Sequence, residues 1–104
     1  MAILALFTGE GITRQMYDAL RQKVDWEHQH PNGSIVHIAS FDEAGTPHVA
    51  DVWSSPETLN EFVGTRLMPA MQALGIPQPD VVVYPVHNLN AFPAILEHLV
   101  KEQV

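Results

Sequence analysis

Hydrophobic and polar positions alternate along the chain with two periods, and each change of period marks a new element. The apolar run "ILALFT" at residues 3–8 stops at the turn-forming "GEG", which predicts a buried strand. From Thr13, placed to cap a helix, Met16, Leu20 and Val24 recur every four residues with Tyr17 beside them, so a short amphipathic helix is expected to end near Asp25. The polar stretch "DWEHQHPNGS" closes on Pro31 and the turn pair Asn32-Gly33, as a loop would. Residues 34–55, "SIVHIASFDEAGTPHVADVWSS", read as strand, turn and strand. Ser55 and Pro56 then open a long helix whose Leu59, Phe62, Val63, Leu67, Met71 and Leu74 share a face, with Gly75 as its C-terminal cap. Pro69 lies inside that pattern and predicts a kink or restart near Thr65–Met68. "PDVVVYPV" is a fourth strand, its valine run implying cover on both faces, and Pro85 belongs at an edge, a bulge or the end of pairing. Beyond it, Phe92, Ile95, Leu96, Leu99 and Val100 fall at helical spacing and predict a short amphipathic C-terminal helix.

The order is β-α-β-β-α-β plus a final helix. Right-handed crossovers in both β-α-β halves give an α+β, ferredoxin-like domain over residues 1–90, a four-stranded antiparallel sheet with helices on one face, and a C-terminal helix over 91–104. The strands carry apolar residues in both alternating sets, so the face without helices needs cover. A second copy of the chain, paired through the open sheet faces, is the simplest source.

Composition narrows the function classes. The chain has 104 residues, 46% of them hydrophobic, and a net charge of −7, with five Lys and Arg against twelve Asp and Glu. Those few, scattered cations cannot neutralise a run of phosphates, and an anionic membrane would repel the chain; neither nucleic acid nor membrane is expected as a partner. Without cysteine there is no disulfide, thiolate nucleophile or thiolate metal site, which fits a cytoplasmic protein. The N-terminal apolar run lacks the basic leader of a signal peptide and is too short to span a bilayer.

The hairpin carries the chemistry. In "D-E-A-G-T", Gly45 suits the left-handed position of a three-residue loop, which pairs Asp42 with Thr46. Counting back, Ala39 faces Val49, His37 faces Asp51 and Ile35 faces Trp53, all on one side of the sheet; a two-residue turn would shift the pairing by one and separate them. A carboxylate beside an imidazole can fix the ring's tautomer and stabilise its protonated form, so His37 is a candidate general base with Asp51 orienting it, and Trp53 a flat wall beside them. The plainer alternative is a buried polar pair that satisfies only itself. Tyr17 on the first helix can turn its hydroxyl toward the sheet, and His87 after the fourth strand can close a pocket rim or cap the strand end. His28 and His30 form a two-imidazole loop with no third ligand in view, so no metal site is expected, and His48 and His98 read as surface residues. No phosphate loop, nucleophile elbow or zinc motif occurs.

With the hairpin, "DVWSSPETLNEF" and "RLMPAMQALGIPQPDVVVYPVHNL", the chain over residues 2–90 resembles the dimeric α+β barrel superfamily, and more narrowly the small proteins related to the antibiotic-biosynthesis monooxygenases. The resemblance implies a homodimer with facing sheets and a small-molecule pocket between sheet and helices of each subunit. In the cofactor-independent members a Trp at the end of strand three lines the substrate cavity, and Trp53 matches it. Many of them carry a His early in helix two, where this chain reads "PETLNEF", and the C-terminal helix is an addition. Some relatives bind haem, but an axial His alone does not make a porphyrin site, so no cofactor is expected. The function expected is binding of a small aromatic or apolar organic molecule at His37, Asp51, Trp53, Tyr17 and His87, with oxygenase or proton-transfer chemistry; the alternative is a non-catalytic binding or assembly domain whose pocket is filled by side chains.

Overall fold

Each predicted punctuation point closes an element in the computed structural model, which describes residues 1–101. β1 spans Ile3–Thr8 and α1 spans Arg14–Val24, capped by the Thr13 hydroxyl, which accepts from the Met16 N–H, and ended by Asp25 in the left-handed region. β2 (Ser34–Phe41) and β3 (Pro47–Trp53) form the hairpin. α2 (Pro56–Phe62) starts at the Ser55 cap with Pro56 in its first turn. β4 spans Asp80–Pro85. The strand order is β2-β3-β1-β4 with every pair antiparallel, the ferredoxin-like arrangement expected.

Pro69 has the predicted consequence. A π-helical turn, Val63–Leu67, lies between α2 and α3 (Met68–Leu74), and the Met68 N–H reaches back five residues to the Val63 carbonyl. A proline ring crowds the carbonyl four residues before it, and the wider turn relieves that crowding. Arg66, presented by this turn, donates to the carbonyls of Val24 and Gln29 at 2.9 and 2.7 Å, tying down the end of α1 and the loop after it.

Alternation along the strands sorts the two faces. Ile3, Ala5, Asp51 and Trp53 are buried under the helices, where Leu20, Val24, Leu59, Phe62, Ala70 and Met71 complete the core. On the other face Leu6, Ile38, Val82 and Tyr84 are exposed, an apolar surface of the kind the sequence requires to be covered.

Three expectations change. β4 is an edge strand with Val81, Val82 and Val83 all exposed, so its valine run is not covered on both faces within one chain. The predicted C-terminal amphipathic helix is a 3-10 turn over Pro93–Glu97 with no buried residue; a segment this short does not sustain an α-helix. Residues 102–104 of the expected 91–104 unit lie outside the described residues. Finally, Trp53 faces Ser34 rather than Ile35, because a bulge between Ser34 and Val36 takes up one residue.

Candidate functional site

The turn sets the site. Asp42 and Thr46 close the hairpin, the Asp42 N–H donating to the Thr46 carbonyl at 3.0 Å, and Gly45 takes φ 86° as the three-residue loop requires. The pairing that follows puts His37 directly across from Asp51, with Ala39 across from Val49. On the other side of β3, Ala5 of β1 faces Asp51.

Four side chains then form one hydrogen-bonded chain. The Trp53 Nε1–H donates to Asp51 Oδ2 at 3.1 Å. His37 Nδ1 lies 2.7 Å from Asp51 Oδ1, and His37 Nε2 lies 2.7 Å from the Tyr17 hydroxyl. Donor and acceptor rules assign the protons: Asp51, as a carboxylate, only accepts, so the neutral imidazole carries its proton on Nδ1, and Nε2 accepts from the Tyr17 O–H. The chain runs outward from a buried indole to a half-buried phenol. Asp51 is 7% exposed, while the His37 side chain is 30% exposed. Burial pushes the Tyr17 phenol above its ordinary value; Arg21 opposes this, and the carboxylates of Glu27, Asp51 and Asp18 add to it.

The chain opens onto a cavity of about 920 Å3 between α1, the loop after it and the β2-β3 hairpin. Trp26 stands over the imidazole, ring centroids 5.0 Å apart and tilted, and 5.8 Å from the Tyr17 ring. Phe41 meets Tyr17 edge-on at 5.8 Å. Arg21 is paired with Glu27 on the same wall. Most of the lining is apolar and aromatic, with polar groups at the imidazole and, further along the wall, at Arg14 and Asp18, a mix that suits a flat organic molecule. A cavity of this size counts against the alternative of a pocket filled by its own side chains.

His37, Asp51, Trp53 and Tyr17 are thus brought together, and His87 is not: it is exposed beyond the end of β4 and does not line the cavity. Trp53 lies in the floor, 2% exposed and 5.2 Å from Phe62, so its indole both packs the core and anchors Asp51. His28 is bonded to Asp25, and His30 to the Glu27 carbonyl. Among the described residues no three His, Asp or Glu side chains gather as a metal site. Exposed His48 pairs with Asp42, and exposed His98 sits along the cavity's outer wall. Two wall residues, Trp26 and Phe41, are absent from the sequence expectation. Phe41 has the same strand parity as His37 and Ala39, a signal that was present; Trp26 is an isolated aromatic in a polar loop, and only tertiary packing shows where it goes.

No family model matches the chain, and no curated protein does. Solved structures do. A protein of unknown function from Nitrosomonas europaea superposes with a TM-score of 0.65 at 16% identity, covering 88% of this chain and 95% of that one. A candidate antibiotic-biosynthesis monooxygenase from Chloroflexus aurantiacus gives 0.64 at 13% identity, covering 88% and 98%. A cofactor-independent oxygenase from Streptomyces nogalater gives 0.60 at 11% identity, covering 85% and 93%. No helix among the described residues is long and apolar enough to cross a membrane. At these identities the likeness is one of fold, and the fold of this chain is that of the antibiotic-biosynthesis monooxygenase-like α+β proteins.

Proposed function

We propose that the protein is a cytoplasmic homodimer that binds a small aromatic or apolar organic molecule and removes a proton from it, with His37 as the base. The observation that carries this reading is the hydrogen-bonded sequence Trp53–Asp51–His37–Tyr17 ending at an open, aromatic-lined cavity. Because Nε2 is already engaged by Tyr17, the proton passes through the phenol: the substrate gives its proton to the Tyr17 oxygen as the Tyr17 hydroxyl proton moves to His37 Nε2. The resulting imidazolium is held by Asp51. The raised Tyr17 value supports a relaying hydroxyl over a standing phenolate base. The exposed apolar sheet face supports the dimer, and the cofactor-independent oxygenase among the fold neighbours supports reaction of the substrate anion with dioxygen.

Anthrone tests the reading. Its methylene is acidified by two flanking rings, and its anion reacts with dioxygen to give anthraquinone and water, one dioxygen per anthrone. Oxygen uptake and anthraquinone absorbance above the protein-free rate are expected. His37→Ala should lose about a hundred- to ten-thousand-fold of that excess with the fold intact. Loss of stability with no change in turnover would make the pair structural.

A further inference from the structure

Arg14 is the first residue of α1 and lines the same cavity. Its guanidinium carbon lies 4.5 Å over the Phe41 ring, and Phe41 in turn meets Tyr17, so the cation adjoins the aromatic wall that leads to the imidazole. The position does nothing for the helix: a cation in the first turn is opposed by the positive end of the macrodipole, and no acidic residue in that turn offsets it. Nor does Arg14 form an ion pair among the described residues. Asp18, one turn further along, lines the cavity without pairing with it, and Glu27 is engaged by Arg21. Resting on a ring face holds the guanidinium in place without consuming its N–H donors, which remain available to a planar two-oxygen acceptor. In a chain of net charge −7, an anion would be repelled at long range, so a cation placed at the cavity has a selective effect on what can stay there.

We propose that Arg14 is the anion-recognition group of this cavity and that the ligand is an aromatic organic acid, its carboxylate on Arg14 and its ring toward Tyr17 and Trp26. The assignment rests on the reading of the cavity as an organic-ligand site. Two probes separate the claims by calorimetry: 3-hydroxy-2-naphthoate, and 2-naphthol, which shares its ring and hydroxyl but lacks the carboxylate. The wild-type protein is expected to bind the acid at least about tenfold more tightly. Arg14→Gln should abolish that preference by weakening the acid far more than 2-naphthol, and Arg14→Lys, which keeps the charge and loses the fork, should retain part of it. Equal affinity for the two probes in the wild-type protein, or a preference that survives Arg14→Gln, would overturn the role of Arg14 while leaving the cavity reading in place. Binding of neither probe would overturn both.

Discussion

Trp53 and Asp51 sit two residues apart on β3, and the indole N–H of the first holds one carboxylate oxygen of the second at 3.1 Å. Residues two apart on a strand share a face, so the backbone itself brings the donor beside the acceptor. The indole is packed against Phe62 and cannot readily move. That leaves the other Asp51 oxygen aimed at His37, and the orientation of the imidazole is set by a core residue that is not itself a base.

Removing this support should cost stability as well as chemistry. Asp51→Ala leaves the buried Trp53 N–H without its acceptor, and a loss of about 1–3 kcal/mol is expected in urea unfolding. Trp53→Phe removes the same bond from the other end. The double variant should therefore lose less than the two single losses combined, since both delete one interaction; strict additivity would show that the bond contributes nothing.

Tyr17→Phe separates a relay from direct attack by His37. If the proton passes through the phenol, turnover of anthrone falls while the cavity keeps its shape; if His37 acts directly, the variant frees Nε2 and turnover holds or rises. The same substitution has a signature in the absence of any substrate. The folded-state value of Tyr17 is raised above that of the unfolded chain, so its contribution to stability is complete below about pH 10 and declines as pH rises beyond it. Between about pH 10 and 11.5 the wild-type protein should lose stability more steeply with pH than Tyr17→Phe, as read from denaturation midpoints.

The exposed apolar face predicts association. Ile38 and Tyr84 lie on the sheet face away from the helices, so Ile38→Glu should convert a dimer to a monomer in light scattering without altering the monomer's secondary structure. A wild-type protein that is monomeric at tens of micromolar would refute the covered-face account.

Gly33 is the most constrained position near the site. It has φ 84°, and a Cβ there would come within 2.5 Å of the Thr58 side chain and 2.7 Å of Ser54 Oγ. Its carbonyl also accepts the Ser54 N–H at 2.7 Å, joining the start of β2 to the end of β3. Gly33→Ala should therefore destabilise by at least about 1–3 kcal/mol from backbone strain alone, before the contact with Thr58 is counted; a neutral effect in thermal melts would contradict the geometry.

Most of the fold was legible because its determinants are local. Thr13, Ser55 and Gly75 cap helices by their own chemistry, Pro56 starts one, Pro69 forces its π-helical turn, and Gly45 sets a register from which the facing of His37 and Asp51 follows by counting. Counting fails where a bulge intervenes, as it does at Ile35. What stayed hidden depends on tertiary placement: Trp26 folding back over the imidazole, Arg14 resting on Phe41, and Ile95, Leu99 and Val100 lying along the cavity rather than on a helix face. His87 was drawn toward the site by its nearness to a strand end, although that strand lies at the sheet edge remote from β2.

The protonation pattern of His37 tests the account most directly. Long-range proton–nitrogen correlation spectra of the uniformly 15N-labelled protein, with His37→Gln used to assign the signals, show which ring nitrogen carries the proton in the neutral imidazole. The account predicts the proton on Nδ1, with an Nε2 resonance that shifts in Tyr17→Phe. A neutral ring protonated on Nε2 would mean that Asp51 does not hold the imidazole as described, and that Nε2 has no lone pair to receive a proton from the cavity.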